Sequence, residues 1–383
     1  MSSLVNMRTK AREMFPGDVD RRSFLLLSGS AVLVGLGVPA SAGRISELRS
    51  VADILRAGIA DRMVHGCVCC RGDGSALTFD GLMRFSPETR PMCAAARFDL
   101  ASVTKAFVAV TAAELAAAGL LDVDAPFTDY LPDHVLAKEG CRITVRDLAT
   151  HSGGFANDKP YQTPDVAAFR RALWNKRPQW GRGERFCYAC SNFIYLGLIV
   201  EKVTGEPLHV AVNRAVIGPL GLTQTSWGPI GGDPMAVQME PGDVCMVPGV
   251  ICDETARALP FPVGNAGMFS TATDLAKFVD ALAKGKVFSQ KALDLVRTPT
   301  FETPDARRSF GFDMSPAQRP AGLSARTIFH SGFSGQTICA DPETGFSAVV
   351  LSNRYGNRYE PGKIWRNRVI SELFAAGSDR NRT

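Results

Sequence analysis

Strand patterns lie at both ends of the sequence, with helical patterns between them. Residues 67–79 form two short apolar runs around the turn Arg-Gly-Asp-Gly, which is typical of a hairpin. Residues 325–354 contain three further strand patterns at the spacing of a meander. The simplest fold for this order is one antiparallel sheet built from both ends of the chain. We therefore predict an α+β fold, with an antiparallel sheet flanked by helices, a mainly helical lobe, and a cleft between the two.

Apolar residues at helical spacing predict the helices. One amphipathic helix is predicted within residues 45–64, although Gly58 in its interior weakens it. From Ser102 onward the pattern is helical, and residues 106–122 are almost continuously apolar and rich in alanine. A helix of this kind must be buried on most sides. Further helices are predicted within residues 165–174, 195–205, 272–285 and 364–376.

The first 42 residues have the features of an export signal. Arg21 and Arg22 precede an apolar run, and the Ala-Ser-Ala that follows the run offers a cleavage site between small residues. The paired arginines resemble a twin-arginine signal. We therefore predict a periplasmic or secreted protein, with residues 1–42 as its signal and residues 43–383 as a single domain of two lobes. An N-terminal membrane anchor that is never cleaved is the alternative.

The charge of the chain argues against a nucleic-acid partner. The net charge is +5 over 383 residues, and part of this excess lies within residues 1–42. The arginine-rich end, residues 378–383, is too short to bind nucleic acid as an arm. No apolar run outside the signal is long enough to cross a membrane. A membrane is therefore expected as a partner only through an uncleaved signal, and the oligomeric state is left open.

Ten cysteines are many for an exported chain of this length. Several lie within apolar runs, where buried thiols behave as small hydrophobic side chains. Cys67 with Cys70, and Cys187 with Cys190, have the spacing of zinc ligands, so a metal or redox protein is one alternative. The first pair lies in a strand pattern without a glycine or proline knuckle, and neither pair opens a predicted helix. We therefore predict no metal and no cofactor, while export leaves disulfide pairing open.

The segment Phe-Asp-Leu-Ala-Ser-Val-Thr-Lys places Ser102 and Lys105 three residues apart at the start of the apolar helix. Positions three apart lie on one helix face, so the lysine amine reaches the serine hydroxyl. A serine nucleophile needs a base, and an amine serves as one only when burial or a nearby cation lowers its pKa. The apolar surroundings of Lys105 predict such a lowered pKa. In the alternative for this pair, Ser102 caps the helix and the Lys105 side chain extends along apolar surface to place its charge in water. Asp99, which precedes the helix, is also expected to be a cap.

This segment closely resembles the nucleophile motif of the serine β-lactamase-like superfamily, which includes class C β-lactamases, low-molecular-mass penicillin-binding proteins and family VIII carboxylesterases. The second motif of that superfamily is Tyr-x-Asn. Tyr188 matches its tyrosine if Gly197 is the anchor, and Cys190 then stands where the family has asparagine. A shifted alignment on Ser191 and Asn192 leaves no tyrosine in register, so we prefer Tyr188.

The third motif of the superfamily is Lys-Thr-Gly, or His-x-Gly in many esterase-like and peptidase-like members. His330, Ser331 and Gly332 resemble the second form. Residues 143–155 and 265–278 also look like framework segments of the superfamily. In the first of these, His151 is expected to be a structural turn residue. The resemblance covers about residues 45–375, with the motifs in the family's order, and it implies a β-lactamase/transpeptidase-like fold with the active site in the cleft.

The resemblance also implies a role for each motif residue. Ser102 would be acylated, while Lys105 and Tyr188 would share the proton that passes from the serine to the leaving group. The backbone N–H groups of Ser102 and Phe333 would form the oxyanion hole, with Phe333 on the edge strand of the sheet. Substrate-binding positions follow from the second and third motifs: Cys190, His330, Ser331 and Gly332.

Two of these positions depart from the penicillin-recognising members. A thiol at Cys190 is a poor substitute for a carboxamide, and His330 is mostly neutral at pH 7 where those members have a cation. We therefore predict a serine hydrolase, esterase-like or D-amino-acid peptidase-like, that acts on an ester, amide or peptide rather than an efficient β-lactamase. The expected partner is a small-molecule or peptide substrate. A β-lactamase or penicillin-binding protein, and a weakly catalytic module that binds cell-wall fragments, are the alternatives.

Overall fold

The computed structural model describes residues 50–240, 243–356 and 358–378. The predicted export signal lies outside the described residues, as does the start of the first predicted helix. Within the described ranges, no helix is long and apolar enough to cross a membrane.

A nine-stranded sheet forms the centre of the structure, with strand order β3-β2-β1-β12-β11-β10-β9-β8-β7. Its pairings are antiparallel, and Val68 of β1 pairs with Leu351 of β12, so the two ends of the chain meet in the middle of the sheet as predicted. A small second sheet has the order β4-β6-β5. The strands are β1 (Val64–Arg71), β2 (Thr78–Arg84), β3 (Arg90–Pro91), β4 (Phe98–Asp99), β5 (Ser226–Trp227), β6 (Met268–Ser270), β7 (Phe301–Thr303), β8 (Ala306–Ser309), β9 (Phe312–Asp313), β10 (Ile328–Ser331), β11 (Gln336–Asp341) and β12 (Phe346–Arg354).

Helices cover both faces of the large sheet. The helices are α1 (Val51–Ala60), α2 (Thr104–Ala117), α3 (Phe127–Tyr130), α4 (Val145–Thr150), α5 (Val166–Trp174), α6 (Cys190–Thr204), α7 (Leu208–Val212), α8 (Glu254–Ala258), α9 (Ala272–Lys284), α10 (Gln290–Arg297) and α11 (Tyr359–Ser378). Helices α1 and α11 pack on one face, where Val64, Val350 and Trp365 belong to one apolar cluster. Helix α9 packs on the other face against β11 and β12, and α2 lies beyond it between α6 and α10.

Helix α2 lies in the interior of the molecule. Every residue from Thr104 to Ala113 is buried, which confirms the prediction that this apolar helix is covered on most sides. The helix follows a short 3₁₀ turn, Ala101–Val103, and one residue, Leu100, separates that turn from β4. Because β4 pairs with β6, a small sheet inside the fold holds the start of α2 in place.

Strand β10 is not an edge strand, contrary to the prediction. Three strands of residues 301–313 extend the sheet beyond it, and Phe329 of β10 pairs with Asp313 of β9. That pair is the one register match between β10 and β9 within the described part of the chain. The following residues, Ser331 to Phe333, therefore have no strand beside them on that side.

The thiols of Cys67 and Cys70 lie on opposite faces of β1. Cys67 belongs to the cluster under α1 and α11, whereas Cys70 belongs to the cluster around α2 and α9. Burial raises the pKa of both thiols, which therefore remain protonated hydrophobic groups. Two side chains on opposite faces of one strand cannot bind a single zinc ion. The expectation that neither pair opens a helix is wrong for the second pair, since α6 begins at Cys190.

Candidate active site

Ser102 lies in the turn that joins β4 to α2, at the point where the chain enters the interior. The preceding residue, Ala101, has a backbone φ of 45°, in the left-handed region that non-glycine residues avoid. Asp99 is completely buried, and its carboxylate accepts a hydrogen bond from the Ala101 N–H at 2.7 Å and from the Cys252 N–H at 2.6 Å. Asp99 thus caps this turn as predicted, and it also ties the turn to a loop on the other side of the site.

The Ser102 hydroxyl contacts both of its predicted partners. Lys105 Nζ lies 3.0 Å from Ser102 Oγ, and Tyr188 Oη lies 2.7 Å from the same atom. The lysine also donates to the Asn265 carbonyl at 2.8 Å, and its Nζ lies 5.0 Å from the centre of the Tyr188 ring. Ser102 and Tyr188 are half-buried, while Lys105 is fully buried beneath them. The structure therefore brings the first and second motifs together around one hydroxyl.

Lys105 keeps its charge despite its burial. Burial lowers the pKa of Lys105, but the acidic groups of Tyr188 and Cys190 outweigh it, so the net pKa lies above that of an ordinary lysine. The prediction of a lowered pKa is therefore wrong in direction. The sequence shows the apolar neighbours of the lysine along its helix, whereas the acidic groups reach it from other parts of the fold. Lys105 is consequently an ammonium group at neutral pH.

His151 positions Tyr188. It ends α4 with a left-handed φ of 58°, so it is a turn residue as predicted, but its ring also packs against the Tyr188 ring with 4.6 Å between centroids. The Asn192 amide donates to His151 Nδ1 at 2.9 Å, and the Ala189 N–H lies 3.3 Å from the same nitrogen. Asn192 is completely buried by this contact. The shifted alignment of the second motif would use Asn192 to bind substrate. Because Asn192 is buried in the core and its amide is bonded to His151, the structure favours the alignment on Tyr188.

The third motif approaches Ser102 through β10. His330 is only 5% exposed, and burial together with the charges of Lys105 and Arg308 holds its pKa well below the ordinary value. It is therefore neutral at pH 7, as expected. Ser331 is half-buried and its hydroxyl lies 3.3 Å from that of Thr337 on β11. The roles of His330 and Ser331 in substrate binding stay predictions.

Gly332 fits closely against the turn that carries Ser102. A Cβ atom at this position would lie 2.7 Å from the Leu100 carbonyl oxygen and 2.5 Å from Gln336 Oε1, both too close for a non-bonded contact. The need for glycine thus comes from packing against the nucleophile turn. The next residue, Phe333, is half-buried, and its N–H donates no hydrogen bond within the described part of the structure. The role of this N–H as the second donor of the oxyanion hole stays a prediction.

Arg308 is a buried cation that the sequence motifs did not reveal. It lies on β8 with 4% exposure, Nη1 is 3.2 Å from Asp313 Oδ2, and the guanidinium lies 5.0 Å from the centre of the Phe186 ring. Phe186 packs on His151 beside Tyr188, and Arg308 lies within electrostatic range of the tyrosine. Its charge contributes to the lowered pKa of both His151 and His330. Residues 306–309 show no pattern in the sequence that links them to the other motifs.

Comparison with known proteins decides the family. The Beta-lactamase family model matches residues 52–371, which include all three motifs. The chain belongs to the beta-lactamase family. A protein of Escherichia coli (strain K12) that carries the provisional name D-alanyl-D-alanine carboxypeptidase is 28% identical over 368 residues, covering 79% of this chain and 82% of the relative. Esterase EstB of Burkholderia gladioli is 26% identical over 310 residues, covering 69% and 79%.

Solved structures show the same fold. A penicillin-binding protein homologue from Caulobacter crescentus superimposes with a TM-score of 0.70 at 21% identity, covering 90% of this chain and 99% of that one. The predicted β-lactamase/transpeptidase-like α+β fold is therefore confirmed. This beta-lactamase-family protein is a serine hydrolase of the type that forms an acyl-enzyme, as the motifs predicted.

Proposed function

We propose that this protein is an exported serine hydrolase in which Ser102 is acylated by an ester, amide or peptide substrate. The observation that carries the proposal is the pair of contacts at Ser102 Oγ, 3.0 Å from Lys105 Nζ and 2.7 Å from Tyr188 Oη. A serine with two proton-carrying neighbours, at the start of a buried helix and beside a free backbone N–H, has what acyl transfer requires.

The proton carrier is Tyr188. A base must be deprotonated to accept a proton, and the Lys105 ammonium, 5.0 Å from the centre of the Tyr188 ring, offsets the negative charge of the tyrosine oxygen in that role. This oxygen takes the Ser102 proton while Oγ forms a bond to the substrate carbonyl carbon. The same proton then passes to the departing alkoxide or amine as its bond to carbon breaks. Lys105 and Arg308 are the two cations that stabilise the phenolate.

The developing oxyanion is held by backbone N–H groups. The Ser102 N–H lies at the start of the helical segment, where N–H groups carry partial positive charge. The Phe333 N–H is unpaired within the described residues and follows Gly332, which packs on the nucleophile turn. After the first product leaves, a water molecule adds to the acyl carbon and Tyr188 accepts its proton. The bond between that carbon and Oγ then breaks, Tyr188 returns the proton to Oγ, and the acid product leaves, so that Ser102 is regenerated.

The substrate is an ester, a small amide or a peptide rather than a β-lactam. His330 is buried and neutral, so it supplies no cation for a substrate carboxylate, and the Cys190 thiol offers only weak hydrogen bonds. Relatives named as a carboxypeptidase and as an esterase support the same range of acyl donors. We place this protein with the esterase-like and peptidase-like members of the family.

Intact mass spectrometry tests the proposal. The purified chain is incubated with a fluorophosphonate and, separately, with a labelled penicillin, each beside Ser102→Ala. A phosphonate adduct that depends on Ser102, without a penicillin adduct, is the expected result. A penicillin adduct would instead identify a penicillin-binding protein or β-lactamase. The absence of both adducts would favour a module that binds without turnover.

The proposed location is the periplasm or the extracellular space. It is supported by Arg21 and Arg22 before the apolar run and by the small residues that end the run. Expression of the full chain in a bacterium with a twin-arginine pathway should give a mature protein that begins after residue 42. Lysine at both arginine positions should leave the full-length chain inside the cell. Full-length chain in the exported fraction would contradict cleavage.

A further inference from the structure

A second cavity lies at the end of the large sheet that is remote from the nucleophile turn. Its volume of about 300 Å³ lies within the range of small-molecule sites. Its walls come from the end of β1 and the turn after it, the start of β12, and the last turns of α9 and α11. Ser347 in this cavity is four residues from Leu351, which pairs with Gln336 beside Gly332, a separation of about 13 Å along β12. The cavity is therefore separate from the proposed active site.

Arg71, the last residue of β1, extends its guanidinium along this cavity. Its Nη1 donates to the Leu373 carbonyl at 3.3 Å, and its Cζ lies 5.3 Å from the centre of the Phe346 ring. Gly377 leaves room for it, since a Cβ atom there would lie 1.5 Å from Nη1. None of the ion pairs among the described residues includes Arg71. The remaining donors of this guanidinium are suited to an anionic group.

Asp73 gives the same cavity a negative charge. Its Oδ1 accepts from the Ser75 N–H at 2.9 Å and from the Ser75 hydroxyl at 2.6 Å, so its Oδ2 is the oxygen left to accept. Burial raises the pKa of Asp73, but the Ser75 hydrogen bonds and the charges of Arg71 and Lys284 outweigh it, so the net pKa lies below the ordinary value. Lys284 is itself paired with Asp280, 2.6 Å away. Asp73 is therefore the carboxylate of this cavity that remains for a cationic group.

Ser347 adds a buried hydroxyl to the wall of the cavity. The residue is 3% exposed, and its Oγ has no hydrogen-bond partner in the part of the chain that the structure describes. It faces Gly72, where a Cβ atom would lie 1.9 Å from the Ser347 Oγ. A buried hydroxyl without a partner is unfavourable, so a ligand that accepts its hydrogen bond would be stabilised.

A ligand with a single charge would fit this cavity poorly. An anion beside Arg71 would also face the carboxylate of Asp73, and a cation beside Asp73 would face the guanidinium. A neutral ligand would remove both charges from water without pairing either of them. A ligand that carries one charge of each sign satisfies Arg71 and Asp73 together.

We propose that this cavity binds a free amino acid as its zwitterion. The ligand carboxylate accepts hydrogen bonds from Arg71 and from Ser347 Oγ, and the ligand ammonium donates to Asp73 Oδ2. The rings of Phe346 and Phe374, with 5.1 Å between their centroids, form the apolar part of the lining and favour an aliphatic side chain. Binding here does not depend on the acylation of a serine in the cleft.

Isothermal titration calorimetry with leucine, in both enantiomers, tests the proposal. Two matched ligands each lack one charge: 4-methylpentanoate lacks the ammonium group, and 3-methylbutylamine lacks the carboxylate. We expect one enantiomer of leucine to bind at least ten-fold more tightly than either analogue, because each analogue loses a charged hydrogen bond. Equal affinity of an analogue and leucine would overturn the assignment to a zwitterion. The absence of binding by both enantiomers would overturn the site.

Variants locate the binding. Asp73→Ser keeps a side-chain oxygen for the Ser75 N–H but removes the charge, and Ser347→Ala removes a hydroxyl that has no partner in the fold. Each should weaken leucine binding about ten-fold. Asp305→Ser, at an exposed carboxylate outside the cavity, and Tyr188→Phe, in the cleft, should leave the affinity unchanged. Unchanged affinity in Asp73→Ser with a loss in Tyr188→Phe would show that leucine binds in the cleft, and would overturn the inference.

Discussion

The carboxylate of Asp99 holds the backbone of Ala101 in its left-handed conformation. Its Oδ1 accepts the Ala101 N–H at 2.7 Å, one residue before the proposed nucleophile, and Ala101 has a φ of 45°. A left-handed alanine is unfavourable by about 1–2 kcal/mol, so this conformation needs support from its surroundings. Asp99 gives that support from a completely buried position. Burial raises the pKa of Asp99 to about 6 in spite of its two backbone hydrogen bonds.

This raised pKa predicts a pH dependence of stability. The folded Asp99 binds its proton more tightly than the unfolded chain does, so its contribution is complete below pH 4 and is lost as the pH rises through about 6. A difference of two pH units corresponds to about 3 kcal/mol. Denaturant unfolding of the chain and of Asp99→Asn, at pH 4 and pH 7, measures this loss. We expect the free energy of unfolding to fall less over this range in Asp99→Asn; identical falls in the two proteins would contradict the assignment.

Gly332→Ala should impair catalysis by moving the nucleophile turn. The new Cβ would lie 2.7 Å from the Leu100 carbonyl oxygen, and a backbone oxygen cannot rotate away as a side chain can. A displacement of about 1 Å at reacting groups lowers rates by about a hundred-fold. Steady-state hydrolysis of a p-nitrophenyl ester measures the loss of kcat. The matched control is Gly231→Ala, where a Cβ meets nothing within 4 Å; equal activity of the two variants would refute the packing argument.

The sequence predicted the parts of the fold that have a strong local pattern. The strands on either side of Val68 and Leu351 and the buried helix after Ser102 have continuous apolar runs, so their existence and order were predictable. Strands β7 to β9 were missed because residues 301–313 are short, charged and lack alternation. With those strands absent from the prediction, β10 was wrongly placed at the edge of the sheet.

Motif spacing predicted the residues of the site but not their surroundings. Ser102, Lys105 and Tyr188 meet as expected, because the resemblance to a known family fixes their relative places. Arg308 reaches the site from a distant segment whose own sequence has no motif. Its proximity depends on packing between elements, which a single sequence does not display. The direction of the Lys105 pKa shift was missed for the same reason.

Gly58 illustrates a residue whose role depends on a distant partner. The sequence marked it as a weak point of α1, but a Cβ there would lie 2.3 Å from Trp365 Nε1 on α11. Although alanine favours helix formation by about 1 kcal/mol, Gly58→Ala should lower the free energy of unfolding by about 1–3 kcal/mol through overpacking. Denaturant unfolding provides the measurement. The loss should be smaller in a Trp365→Phe background, where the indole nitrogen is absent, and an equal loss would contradict this cause.

Arg308 leads to a prediction about the pH profile of catalysis. Tyr188 contacts Lys105 from α2 and His151 from the end of α4, and Arg308 from β8 lies within electrostatic range of it. Tyr359 of α11 also lies within electrostatic range, and burial raises its pKa, so it is neutral. Burial keeps His151 neutral by lowering its pKa. Among these described neighbours, the cations are therefore Lys105 and Arg308.

Arg308→Met should move the acidic limb of the kcat/KM profile to higher pH. The positive charge of Arg308 lies within electrostatic range of Tyr188, so its removal should make proton loss in the active site less favourable, and the shift of the acidic limb should be about one pH unit. Arg308→Lys keeps the charge and should keep the profile, although it loses the planar contact with Phe186. The profiles of the three proteins are measured with one p-nitrophenyl ester at constant ionic strength. A lower rate at every pH with an unmoved acidic limb in Arg308→Met would show that Arg308 acts through packing alone.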